Sequence, residues 1–240
     1  MQTIFHGKND SLAGAFGVPK GVTSLVGGGG KTTLMLALAR ELAAVGQRVI
    51  VSTTTHIFPP ESITTLTNAT ADDVRFVLKS EPLICLGTPA EHGKLSEPKL
   101  TASEMARLAD YVLLEADGAK HLPLKAPAEH EPVIPPETTL VIAVLGLDGI
   151  GKPVSEAAFR PERYAALIGK PESEPVTPLD AALVLTHPDG QRKNVTGTMR
   201  FCVLLNKADD EKRSAFALEL ARELNGTGLA ERTVISALGK

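Results

Sequence analysis

One change of period constrains this chain more than anything else in it. Gly21–Val26 is a short apolar run, four consecutive glycines follow at 27–30, and from Thr32 the pattern turns helical. Leu34, Leu38, Leu42 and Val45 then share one helical stripe, the i, i+4, i+8, i+11 spacing of a helix that buries one side. Gly46 supplies a stop. Arg48–Ser52 is β-branched and apolar again and runs into Thr53, Thr54, Thr55 and His56. Strand, glycine turn, helix and strand in that order make a βαβ unit, which requires parallel pairing and a crossover connection.

The rest of the chain repeats the theme. Strands are expected at Pro82–Gly87, Tyr111–Asp117, Thr139–Gly146, Phe201–Asn206 and Thr233–Ser236, and helices at Ala71–Lys79, Ser103–Ala109, Pro161–Ile168, Leu179–Leu185 and Asp210–Leu224. The strands are apolar throughout rather than alternating, so both of their faces are buried. The expected architecture is a three-layer α/β/α sandwich with a mostly parallel sheet, in one domain spanning residues 1–240. Two stretches, 56–70 and 120–136, are rich in proline and lack periodicity. Both follow strands with polar C-terminal ends, the edge where open α/β sheets bind ligands.

Composition excludes several classes. The net charge of −3 gives no global attraction to nucleic acid or acidic membranes. The apolar run Leu140–Leu147 is followed by Asp148 and is far too short to span a bilayer. Residues 1–8 lack the charged-then-apolar layout of a signal peptide. Cys85 and Cys202 each sit inside an apolar run and read as small buried hydrophobes in a reducing compartment. A cytoplasmic, enzyme-sized protein is expected, with no nucleic-acid or membrane partner; homodimerisation is left open.

Gly27, Gly28, Gly29, Gly30, Lys31, Thr32 and Thr33 have the context of a P-loop. Glycines let successive backbone N–H groups approach phosphate oxygens, and the helix N-terminus adds partial positive charge. Lys31 would reach the β- and γ-phosphates of a nucleoside triphosphate, and the Thr32 hydroxyl would ligate Mg²⁺. The commonest frame places a glycine where this chain has Leu25. The match is to the G-G-x-G-K-T-T variant and resembles nitrogenase-iron-protein-like P-loop NTPases, with Mur ligases using a comparable short loop. The extra lysine some members of that class carry is Val26 here.

Asn206, Lys207, Ala208 and Asp209 fit the N-K-x-D guanine motif. Its carboxylate accepts from guanine N1–H and the 2-amino group, while the lysine stem lies along the base; adenine would leave that carboxylate unpaired, a penalty that can reach about 10⁴–10⁵ in discrimination. Ser236 and Ala237 follow one helix and one strand later, matching a turn that contacts the guanine carbonyl in GTPases. Together they favour GTP, with ATP retained as the alternative. Glu115 and Asp117 end an apolar strand as a Walker-B element would, holding Mg²⁺ and orienting the attacking water. Lys31, Glu115 and Asp117 are the expected catalytic set, with Thr32 and Glu115 as metal ligands and Asp117 open as the alternative. Thr54 and His56, at the end of the second strand, are candidates near the γ-phosphate.

Six blocks in order carry a wider resemblance: Val26–Thr33, Ser52–Ile57, Leu114–Lys120, Leu122–Pro135, Thr186–Gly190 and Leu205–Asp209. The set is similar to the selenium-dependent hydroxylase accessory proteins of the YqeC family. The resemblance implies a bacterial factor for maturation of selenium-dependent molybdenum hydroxylases, with such an enzyme or its other maturation factors as partner. Within the fourth block and just before it, Lys120, Lys125, Glu129 and His130 are candidates for contact with an anionic substrate or partner; a stiff proline-fixed cover is the alternative. His187–Gly190 reads as a surface turn. The expected activity is Mg²⁺-dependent nucleoside triphosphate hydrolysis. Its rivals are an ATP-dependent small-molecule kinase or ligase, and a nucleotide-gated scaffold with little hydrolysis.

Overall fold

In a computed structural model, residues 2–7 and 10–238 are described; Met1 and Lys8 of the N-terminal stretch read above, with Asn9, Gly239 and Lys240, lie outside them. The chain runs β1 (Gln2–Phe5), α1 (Leu12–Phe16), β2 (Gly21–Gly27), α2 (Lys31–Ala44), β3 (Val49–Thr53), β4 (His56–Ile57), β5 (Thr64–Thr67) and α3 (Ala71–Val77). It continues through β6 (Leu83–Pro89), β7 (Leu95–Ser96), α4 (Ala102–Leu108), β8 (Tyr111–Glu115), β9 (Leu124–Lys125), β10 (Thr138–Gly146) and α5 (Val154–Ala157). Then follow β11 (Ala158–Phe159), α6 (Pro161–Ile168), α7 (Pro178–Thr186), β12 (Arg200–Asn206), α8 (Glu211–Thr227) and β13 (Arg232–Ile235).

The main sheet has the order β1-β13-β12-β10-β2-β8-β3-β6, with β5 also on β6, and every pairing among these strands is parallel. The short strands β7 and β4 extend it in antiparallel fashion beyond Thr88. β2 lies between β8 and β10. The glycine loop at its end therefore meets the polar ends of both neighbours.

Side-chain alternation builds two cores. Leu25, Val49, Val51, Leu113, Ile142 and Leu204 face α1 and α2, meeting Phe16, Leu34, Leu38 and Leu42. On the other face, Val141, Ala143, Leu145, Val203 and Leu205 pack on α5–α8, and Ile50, Ile84, Val112 and Leu114 on α3 and α4. Helices thus cover a mostly parallel sheet on both sides, the expected three-layer arrangement.

Four local expectations need correction. Val45 is not on the buried stripe: α2 ends at Ala44, and Val45 at its C-cap is 69% exposed. Residues 56–70 are not wholly irregular, because Thr64–Thr67 pairs in parallel with β6 and His56–Ile57 with β7. Within 120–136, Leu124–Lys125 pairs with Ala158–Phe159 in a separate two-stranded sheet. The strand read as Tyr111–Asp117 stops at Glu115.

Candidate functional site

β2 ends at Gly27, and α2 begins at Lys31 with Gly30 as an N-cap that has no side chain to offer. The first-turn amides of α2 consequently keep N–H groups with no intrahelical partner. Two of the glycines between are required by both conformation and space. Gly29 has φ 78° and a side chain there would collide with the Gly146 amide; Gly30 has φ 131° and would collide with Asn206 Nδ2. The loop is tied down from two sides. Gly28 N–H donates to Val144 O at 2.9 Å, and Gly29 N–H to Leu122 O at 3.0 Å.

Lys31 is buried and its ammonium turns inward. It donates to Gly27 O and lies 3.0 Å from Asp117 Oδ1 and 3.7 Å from Glu115 Oε1. The Lys31–Asp117 contact is a close ion pair inside the protein. Burial by itself would lower the Lys31 pKa, but the Asp117 and Glu115 carboxylates outweigh it and hold the pKa above its ordinary value. Thr32 Oγ1 donates to Glu115 Oε2 at 2.7 Å, and Gly27 N–H donates to Asp117 Oδ2 at 3.1 Å.

The charged group extends past the expected residues. Lys125 is fully buried, with Nζ 2.9 Å from Asp117 Oδ2, 2.9 Å from Glu131 Oε2, and donating to Gly118 O at 2.6 Å. Glu131 in turn accepts from Arg160 Nη1 at 2.6 Å and from the Ala128 amide at 3.1 Å. Burial would raise the Glu131 pKa, yet Lys125, the Ala128 amide and Arg160 together keep it below the ordinary carboxylate value. Three cations and three carboxylates alternate from the glycine loop to the surface, so the network is neutral as it stands.

The N-K-x-D residues arrive from β12. Asn206 Nδ2 donates to Gly29 O at 2.9 Å, and its Oδ1 accepts from the Leu238 amide. Lys207 has φ 67° and its Nζ lies 2.9 Å from Asp148 Oδ2. Arg213 of α8 pairs with Asp209 at 2.9 Å and donates to Lys207 O. Ser236 is buried, its carbonyl accepting from Ala208 N–H, while Ala237 is exposed.

The glycine loop, the carboxylates and the N-K-x-D residues thus share one edge of the sheet. Thr54 joins them through its amide on Glu115 O and its hydroxyl on Val133 O. His56, Lys120, Glu129 and His130 are exposed and have no hydrogen bond into the cluster. Lys120 instead lies 5.4 Å from the centre of the Phe159 ring. Glu131, Arg160, Asp148 and Arg213 were not singled out by sequence. Asp148 carried the same signal as Glu115, a carboxylate closing a buried parallel strand; Arg160 carried none.

Residues 23–162 match the family described as YqeC protein. The chain is also 34% identical over 210 residues to the "Uncharacterized protein YqeC" of Escherichia coli (strain K12), covering 85% of this chain and 82% of that one. The chain belongs to the YqeC family. The family match contains the whole Lys31–Arg160 network, and the Asn206–Asp209 turn lies beyond it. Among the described residues no helix is long and apolar enough to cross a membrane.

Proposed function

We propose that this chain is a Mg²⁺-dependent P-loop nucleoside triphosphatase with a preference for GTP, serving as an accessory factor in maturation of selenium-dependent molybdenum hydroxylases. The observation that carries the enzymatic part is Lys31, buried at the uncapped N-terminus of α2 and held by Glu115 at the end of β8 and Asp117 just after it. The maturation role rests on the family resemblance alone.

The donor set suits a hard divalent cation. Thr32 Oγ1 and Glu115 Oε2 lie 2.7 Å apart, and Mg²⁺ takes one or two protein oxygens and fills its shell with phosphate oxygens and water. When bound it would supply charge neutralisation between the β- and γ-phosphates. Charge balance favours Glu115 as the metal-side carboxylate. Once Lys31 turns to a triphosphate, Asp117 keeps Lys125 and the Gly27 amide, but Glu115 loses its cation. Asp117, so fixed, has Oδ1 available to accept from the attacking water. The Leu122 carbonyl must leave Gly29 N–H for that amide to reach phosphate.

Calorimetry with GTP, ATP and CTP, with and without Mg²⁺, tests the reading. Magnesium-dependent uptake lost in Lys31→Ala supports it; a folded wild-type protein that takes up no triphosphate refutes it. Hydrolysis with and without a selenium-dependent molybdenum hydroxylase tests the accessory role.

A second reading has its own observation. Lys120, Lys125 and Arg160 stand 5.4, 5.9 and 4.3 Å from the centre of the Phe159 ring, and Lys125 shares Asp117 with Lys31. Lys120 adds one cation beside that charge-balanced network, which suits an anionic phosphoryl acceptor, as in a small-molecule kinase or ligase. A phosphorylated product in place of free phosphate would select it.

A further inference from the structure

Asp148 has no part in the chemistry above, yet it touches both halves of the site. It follows directly from the end of β10, in the short helical turn Leu147–Gly149. Its Oδ2 holds the Lys207 ammonium at 2.9 Å. Its Oδ1 is buried without a hydrogen-bond partner and leaves no room for a side chain at Gly146, where a methyl group would come within 2.6 Å of it and 3.1 Å of the Gly29 Cα. A buried carboxylate oxygen with no donor is costly, and such groups persist where the surroundings hold them for another reason.

Lys207 is constrained at its other end too. Its backbone is left-handed, with φ 67°, which a residue bearing a Cβ adopts at a cost. Arg213 donates to its carbonyl, and the residue before it, Asn206, is held by Gly29 O and the Leu238 amide. A lysine at a relaxed turn would extend its ammonium into water. Here both ends are pinned, the backbone carbonyl by Arg213 and the ammonium by Asp148, with the four methylenes between them.

We propose that Asp148 is a positioning residue for purine recognition. By holding the Lys207 ammonium it presents the aliphatic stem as a flat apolar platform for the base of a bound purine nucleotide. It thereby sets affinity for the base and leaves the grip on polyphosphate alone. This rests on the nucleotide-binding reading and adds to it the residue that orders the base side of the site.

The test is calorimetric, on the full chain, with GTP and inorganic tripolyphosphate as separate probes. Asp148→Asn keeps the shape and removes the charge. It should weaken GTP about fivefold, the upper end for a partly exposed ion pair, and leave tripolyphosphate unchanged. Lys207→Met keeps most of the stem and frees its end, so it should weaken GTP to the same degree, with the double variant no weaker than either single one. GTP binding within about twofold of wild type in a folded Asp148→Asn protein overturns the proposal. Equal weakening of GTP and tripolyphosphate also overturns it, since that marks general damage to the loop. If Asp148→Asn does not fold, Lys207→Met decides alone: unchanged GTP affinity refutes the platform. Wild-type protein that binds neither probe refutes the nucleotide reading itself, an outcome distinct from a neutral Asp148→Asn in a protein that binds GTP.

Discussion

Replacing Lys125 by methionine isolates the energetic role of the buried network. The change keeps most of the volume and removes one cation that lies within 2.9 Å of both Asp117 and Glu131, in side chains 0–8% exposed. Breaking a buried ion pair from one side leaves its partner's charge uncompensated and costs about 3–5 kcal/mol. With a urea slope of about 2.5 kcal/mol per molar, the midpoint should fall by about 1–2 M. Lys20→Ala is the control. Its pair with Asp110 is largely solvated, with the lysine side chain 64% exposed, so its effect should stay below about 1 kcal/mol. The penalty also has a sign in pH. The folded pKa of Glu131 is lowered from 4.5, with Lys125 among the causes. The stability this contributes is therefore complete above pH 4.5 and lost as pH falls through the lower folded value. The gap between wild type and Lys125→Met should narrow in that acidic window. A midpoint shift under about 0.3 M at pH 7, or a gap that widens on acidification, would refute a buried, charge-balanced chain through Lys125.

Three further outcomes are expected. Lys31→Ala should lower triphosphate turnover by about 100-fold or more, the cost of removing one preorganised positive partner from a developing charge, measured as phosphate release under saturating GTP. Glu115→Gln weakens the hold on the Thr32 hydroxyl, so the Mg²⁺ needed for half-maximal turnover should rise about tenfold or more, read from a metal titration. Gly30→Ala puts a methyl group against Asn206 at φ 131°, and thermal melting should show a loss above about 1 kcal/mol, whereas Gly226→Ala, with open space around it, should not.

Much of the fold was legible because both faces of the central strands are buried. β8, β10 and β12 carry continuous apolar runs and β2 is buried along its length, and the terminal carboxylates and Asn206 stood out as polar residues closing these strands. The margins were less legible. β5, three threonines and a leucine, pairs with β6, and β9 and β11 are two residues each; short edge elements owe their conformation to the partner, not to their own propensity. In the Glu129–His130–Glu131 stretch sequence marked the first two, which point to solvent, and passed over the third, which is buried on Lys125 and Arg160.

The sequence alone determined a parallel α/β sheet, a glycine-lysine-threonine junction at one of its strand ends, and a second polar turn late in the chain. These follow from local rules: periodicity, glycine conformation and the polarity of strand ends. Only the tertiary structure decided which charges meet. Lys31, Asp117, Lys125, Glu131 and Arg160 are scattered over more than half of the chain, as are Gly29, Asp148 and Lys207. Their pairing depends on β2 lying between β8 and β10 and on one loop folding back across the glycines. Electrostatic attraction acts through space, and in a buried site its strength is set by which groups share the same few ångströms without water.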